Sequence, residues 1–264
     1  MNGKPVLTST YALVICLLSA PSVFAQPVPH AVPFDGISIE NAAVWQSGNA
    51  LYVELKTVPD SGQLTMNRLA NVVRRVKWLG ADDSQSQTLK PETDHWTVDL
   101  KGAPADSPAV LEFQLNGPAV AYHTNMIVEA SADGTFHLHG RYATVHGEKL
   151  RYEPQSFKNT VGYWTVEADY AEWHFRNPQP GRYFVSILQG CGKGHGGSQV
   201  QIDIAGKVVD FSVEETGHFQ NFIWQEVGQI EISAADDITL KLHAIKKKAG
   251  AVMDCREIQL RLVR

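Results

Sequence analysis

"QGCGKGHGGSQ", residues 189–199, holds a GxGxxG spacing at Gly192, Gly194 and Gly197. Dinucleotide loops, metal or sugar sites and plain strand connections all use such a spacing, so the flanking sequence has to decide. Before it stands "GRYFVSIL" (181–188), apolar on both faces as a central strand is. After it, "SQVQIDIAG" (198–206) reads as another strand. A pyrophosphate site needs a helix N-terminus directly after the glycines. No helical stretch follows and no Walker A motif is present. The stretch therefore reads as a wide, flexible connection at one end of a sandwich.

The strand rhythm extends outward from this loop. "AEWHF" (171–175), "KVVDFSVEE" (207–215), "QIEIS" (229–233), "ITLKLHAI" (238–245) and "EIQLRLV" (257–263) are separated by Gly, Asp and Asn turns. Regular short strands of this kind predict a β-sandwich of jelly-roll type over 134–264. Upstream, "GPAVAYHTNMIVEASADG" has little rhythm, and residues 119–133 are expected to be a linker. Before it the alternation returns. "LYVELKT" puts Leu51, Val53 and Leu55 on one face, and "VRRVKWLG" puts Val76 and Trp78 together. "HWTVDLKG" does the same for Trp96, Val98 and Leu100, and "VLEFQLNG" for Leu111, Phe113 and Leu115. Turn signals "PDSG", "GADDS" and "KGAPADSP" divide them. The expected fold is all-β: two antiparallel β-sandwich domains, 34–118 and 134–264.

The chain has 264 residues and a formal net charge of −5. That length supports one large or two small cores. The mild acidity, with no basic stripe beyond Lys246, Lys247 and Lys248, points away from a nucleic-acid partner. Residues 1–25 read as a signal peptide: Lys4 in the n-region, an apolar run Tyr11 to Ala20, and a small-x-small site at Val23-Phe24-Ala25. Cleavage after Ala25 leaves Gln26 first, and the protein is expected to be periplasmic or secreted. The apolar run is too short to span a bilayer, and no later segment does better. Cys16 lies in the signal core, which leaves Cys191 and Cys255. An even pair in an oxidising compartment suggests a disulfide, worth roughly 4 kcal/mol in the chain-entropy model. Two buried free thiols are the alternative, because sequence does not give their separation.

The second region resembles the galactose-binding-like modules of carbohydrate-active enzymes, families 6 and 35 of the carbohydrate-binding modules among them. The resemblance is carried, in order, by Trp173 and Phe175, "NPQPGRY", "GCGKGHGGSQ", "VQIDIAG", "ETGHFQNF" and "VMDCREIQL". Domains appended to exported bacterial sulfatases and α-L-fucosidases carry similar "LRYE", "GYW" and "VMD" segments. The first region is similar to the β-sandwich that follows the catalytic barrel of α-L-fucosidases, through "LYVELKTVP", "LANVVRRVKWLG", "WTVDL" and "FQLNGP". Neither the fucosidase barrel nor the sulfatase formylglycine motif is in the chain. The resemblance thus implies the accessory half of such an enzyme, standing alone. It also implies a structural calcium held by acids on the first strand, but His139 and Arg141 stand there instead, while Asp254 matches the late acidic ligand.

Several residues are candidates for chemistry. His137 and His139 alternate onto one strand face, a metal-binding geometry, yet no third ligand is visible nearby, so surface histidines and no metal are expected. Glu167, Asp169 and Glu172 lie close together as hydrolytic carboxylates do, but nothing in the sequence marks burial or a raised pKa. With no GxSxG elbow or Cys-His signature either, an enzyme is not expected. Sugar binding needs flat rings beside hydrogen-bonding groups. Trp173 reads as core. Trp164 and Trp224 suit either packing or ligand contact, and Gln220, Asn221 and Gln225 flank the latter. Lys193 and His195 in the glycine loop suit an anionic glycan, or are simply loop residues.

The reading is an exported, non-catalytic carbohydrate-binding protein, accessory to glycan degradation, whose ligand is a polysaccharide or glycoconjugate. The expected contacts are Trp164, Lys193, His195, Asn221 and Trp224, supported by Tyr163, Gln220 and Asp254. The alternatives are a docking module for a separate glycoside hydrolase or sulfatase, and a remnant of a truncated fucosidase-like enzyme.

Overall fold

The structure, a computed structural model, describes residues 26–104 and 108–264. The expected signal peptide lies outside the described residues. The first half forms β1 (Val32–Pro33), β2 (Ala42–Ser47), β3 (Ala50–Leu55), β4 (Gln63–Asn67), β5 (Val73–Trp78), β6 (Leu89–Pro91), β7 (His95–Asp99) and β8 (Ala109–Leu115). These make a five-stranded sheet in the order β1-β2-β3-β8-β5 and a three-stranded sheet, β4-β7-β6, with every pairing antiparallel. Side chains alternate across a strand, so period-two apolar residues all turn to one side. Leu51, Val53, Leu55, Val76, Trp78, Trp96, Val98, Leu100, Leu111, Phe113 and Leu115 are all buried in one core. Each such side chain is worth roughly 1.5–3 kcal/mol of burial.

The second half forms β9 (Ile127–Val128), β10 (Phe136–His139), β11 (Thr144–His146), β12 (Arg151–Glu153), β13 (Thr160–Gly162), β14 (Tyr170–Asn177), β15 (Gly181–Gly190), β16 (Gln199–Ile204), β17 (Lys207–Ser212), β18 (Ile223–Ile232), β19 (Ala235–Lys246) and β20 (Asp254–Leu262). One sheet runs β12-β13-β20-β15-β18 with β10 also on β20; the other runs β11-β14-β19-β16-β17 with β9 on β14. Their inner faces meet. Tyr183, Val185 and Ile187 of β15 with Ile258 and Leu260 of β20 share one core with Trp173 and Phe175 of β14, Leu240 and Leu242 of β19 and Val200 and Ile202 of β16. Phe136 and Phe175 close it edge to face at 5.0 Å. Among the described residues no helix is long and apolar enough to cross a membrane.

The glycine stretch does what its flanks predict: β15 leaves one sheet, and β16 begins in the other. Residues 119–133 touch both halves. Ala70 donates to the Val120 carbonyl at 2.9 Å, and β9 pairs in parallel with β14. Arg68, buried between the cores, packs its guanidinium 3.3 Å from the Tyr122 ring centroid and 4.6 Å from that of Tyr152. Its Nη2 donates to the Arg141 carbonyl at 3.1 Å.

Candidate functional site

A cavity of about 240 Å³ opens at the end of the second sandwich where the 154–159, 163–165, 213–222 and 247–253 loops gather. It is lined by Glu153, Lys158, Tyr163, Trp164, Gln220 and Asp254, with Thr165, Phe219 and Ala251 completing the wall. Backbone geometry at the end of β13 sets this up. Tyr163 takes a left-handed φ of 58°, which breaks the strand alternation and swings its ring outward. That ring is 48% exposed, and the Arg151 guanidinium sits 4.2 Å from its centroid. The next residue, Trp164, turns inward instead. At 1% exposure it belongs to the core and floors the cavity, the packing role that the sequence left open beside ligand contact.

Two carboxyl groups converge over Gly162. A Cβ built there would lie 2.7 Å from Asp254 Oδ1 and 2.9 Å from Glu153 Oε2, so a side chain there would displace the two carboxyl groups. Lys158 Nζ donates to Glu153 Oε1 at 2.8 Å, and Gln220 Nε2 lies 3.5 Å from Asp254 Oδ2. Burial, followed by the nearby Glu153 charge, pushes the Asp254 carboxyl up to about 7. Near neutrality it is therefore both a donor and an acceptor.

The opening glycine loop lies behind this wall. A Cβ on Gly190 would sit 2.1 Å from the Phe219 carbonyl oxygen, and one on Gly192 would sit 2.5 Å from the Phe219 ring. His195 meets the same ring edge to face at 5.3 Å, and its Nδ1 accepts the Ala251 N–H at 3.1 Å. His195 thus positions Phe219 and Ala251 without lining the cavity. Lys193 is exposed outside it, and Asn221 closes its own turn by donating to the Thr216 carbonyl at 2.6 Å. Trp224 is the larger departure. It lies in β18, opposite Leu188, 48% exposed and outside the cavity-lining set. The cavity therefore unites Tyr163, Trp164, Gln220 and Asp254 of the expected set. It leaves out Lys193, His195, Asn221 and Trp224, and adds Glu153, Lys158 and Phe219. Glu153 ends β12 and Lys158 lies in the 154–159 loop between two three-residue strands, too short to show a period, and no spacing singles them out.

Other expectations are corrected or refined. Cys191 and Cys255 are buried free thiols and do not form the expected disulfide. Cys255 is a ladder residue opposite Gln189 and Val161. Cys191 lies past the end of β15, its Sγ 3.7 Å from the Val252 carbonyl and 3.8 Å from that of Gly192. Burial pushes the Cys191 thiol up to about 11 and raises that of Cys255 as well. The acidic trio does not act together. Asp169 accepts backbone N–H groups from Glu148, Lys149 and Leu150 at 2.8–2.9 Å. Burial raises its pKa, but those three bonds outweigh it and hold the carboxyl below its usual range. Glu167 accepts the Lys247 N–H at 2.6 Å, and Glu172 pairs with His146 at 2.7 Å.

His137 and His139 do share one strand face, but they have a third partner that the local sequence does not reveal. Glu257, opposite His139 on β20, offers Oε1 to His137 Nδ1 at 2.7 Å and Oε2 to His139 Nδ1 at 3.0 Å. Burial lowers the His139 pKa against the pull of Glu257. Glu257 is itself held low: burial raises it, and the two imidazoles more than offset that. The calcium implied by resemblance does not fit here. Calcium takes six to eight oxygen donors, whereas this strand supplies imidazoles, the turn after it supplies Arg141, and Asp254 faces Glu153 instead.

No family model matches the chain, and no curated protein does either. Solved structures give the two kinds of likeness expected from the sequence. An α-L-fucosidase from Vibrio sp. strain EJY3 is 18% identical over 83% of this chain and 39% of its own, with a TM-score of 0.36. The C-terminal family 6 carbohydrate-binding module of LamC from Zobellia galactanivorans is 20% identical over 48% of this chain and 98% of its own, TM-score 0.40. A family 35 module from Clostridium thermocellum is 12% identical over 47% and 97%, TM-score 0.40. The chain thus spans about two fifths of that fucosidase.

Proposed function

We propose that the protein binds a carbohydrate, without cleaving it, in the cavity at the end of the second sandwich. The observation that carries this is the exposed Tyr163 ring at the rim of a cavity whose wall holds two carboxyl groups, a lysine and an amide. A flat ring takes the C–H face of a sugar, while the carboxyl, ammonium and amide groups divide its hydroxyls as donors and acceptors. About 240 Å³ is small beside the 300–1,000 Å³ of ordinary ligand pockets, so a single terminal sugar fits better than the interior of a long chain. Export, and service to a separate glycoside hydrolase or sulfatase, belong to the same proposal.

A glycan array probed with the purified protein and two variants tests it. Binding that Tyr163→Ala weakens and Trp224→Ala leaves intact supports the cavity. Binding lost only with Trp224→Ala moves the site to the sheet face, and no binding to any glycan favours the docking reading. A second reading rests on one observation: Asp254, raised to about 7 by burial, and Glu153 line the same cavity, and a raised acid beside a second carboxyl is one feature of glycosidic acid–base pairs. Sugar release that Glu153→Gln abolishes would establish that reading in place of the first.

A further inference from the structure

We propose that His137, His139 and Glu257 form a binding site for one divalent transition-metal ion of the zinc class. Their ligand atoms all lie within 4.8 Å of one another. The strand places them. His137 and His139 are two apart on β10 and so share a face, and the antiparallel register sets Glu257 directly opposite His139. The two imidazole rings lie nearly parallel, 19° between planes with centroids 6.1 Å apart, both Nδ1 atoms turned to the one carboxylate. Rigid elements hold all three. β20 is paired on both edges, Glu257 is buried, and Trp173 Nε1 donates to the His139 carbonyl at 2.8 Å, fixing the end of β10.

The donor set selects the ion. Two imidazole nitrogens and one carboxylate suit zinc and its neighbours and do not suit calcium or magnesium. Donor atoms on a tetrahedral zinc at about 2.0 Å lie about 3.3 Å apart, so the ion displaces the imidazole–carboxylate hydrogen bonds with shifts of under about 1 Å. Three protein ligands leave one position open to water or a ligand oxygen. His137, with a side chain 39% exposed, provides the entry path. Elsewhere a histidine meets a single carboxylate, as in His95–Asp94 at 2.7 Å and His174–Asp237 at 2.8 Å; these pairs have no second imidazole and serve as internal controls.

The test is calorimetric titration of the chelator-treated protein with zinc chloride, with calcium chloride in parallel. One zinc per chain is expected, with no calcium uptake at the same concentration. Because losing even an outer partner of a metal site costs roughly 10–100-fold in affinity, His137→Gln and Glu257→Gln should each weaken zinc by at least that much. His174→Gln should leave the affinity unchanged. Circular dichroism checks that each variant is folded, and half-exposed His137 carries the test should Glu257→Gln unfold. Cobalt loading adds a direct readout, a visible ligand-field band that both variants remove. Absence of zinc binding, zinc affinity unmoved by both variants, or equal affinity for calcium would overturn the proposal.

Discussion

Asp254 and Tyr163 both line one cavity, and each makes a separate prediction. Asp254 titrates near 7 when folded and near 3.8 when unfolded, so between those values the folded chain holds the extra proton. Its contribution to stability is therefore fully present below about pH 4 and is lost as pH rises to 7. Asp254→Asn should be more stable than the parent at pH 8, with the advantage gone by pH 4. About three pH units at 1.36 kcal/mol each sets an upper scale on the order of 4 kcal/mol. Urea melts at the two pH values check the sign. Tyr163→Ala should weaken glycan binding by roughly tenfold, the usual scale for a buried aromatic anchor, without moving the melting temperature, since the ring is half exposed. At this scale the sequence was legible only in part. "GYW" marked a corner of the cavity, but which of its rings turns outward depends on the left-handed backbone at Tyr163, and residue spacing does not encode that.

Among the elements, the long strands were readable and the short ones were not. β14, β15, β16, β17, β19 and β20 each repeat their alternation enough to show it, whereas β11, β12 and β13 have three residues apiece. The start of β18 was also hidden. "FQNFIWQE" lacks apolar alternation because Trp224 and Glu226 both face outward on an exposed edge strand, so only "QIEIS" at the far end of β18 reads as a strand. The glycine loop, by contrast, was identified by its flanks alone. Its glycines serve contact as well as turning. Gly190 touches the Phe219 carbonyl, so Gly190→Ala must push the 216–222 loop outward. Overpacking of this kind costs roughly 1–3 kcal/mol, and a lowered melting temperature together with weakened glycan binding is the expected result. An unchanged melt would show that the loop has slack.

For the whole molecule, the joint between the two cores centres on Arg68, beside the bond from the Thr93 hydroxyl to the Tyr152 carbonyl. Its guanidinium lies between Tyr122 and Tyr152, and its hydrogen bond reaches Arg141. Arg68→Ala should cost about 2–4 kcal/mol from a desolvated cation–π contact and a charged hydrogen bond. Calorimetry should then resolve two transitions, against a single one expected for the parent. The two cores were legible as hydrophobic period, but this joint was not, because a single arginine carries no pattern. The free thiols give a global check as well. Protein lacking residues 1–25 should show no thiols to Ellman's reagent when folded and two when denatured without reductant. The most direct test of the central claim is amide chemical-shift mapping of the folded chain with an oligosaccharide that the array retains. The cavity account predicts perturbations clustered at Tyr163, Lys158, Gln220, Ala251 and Asp254, with Trp224 and Glu226 silent. Perturbations confined to the β15–β18 face, with the cavity silent, would contradict it.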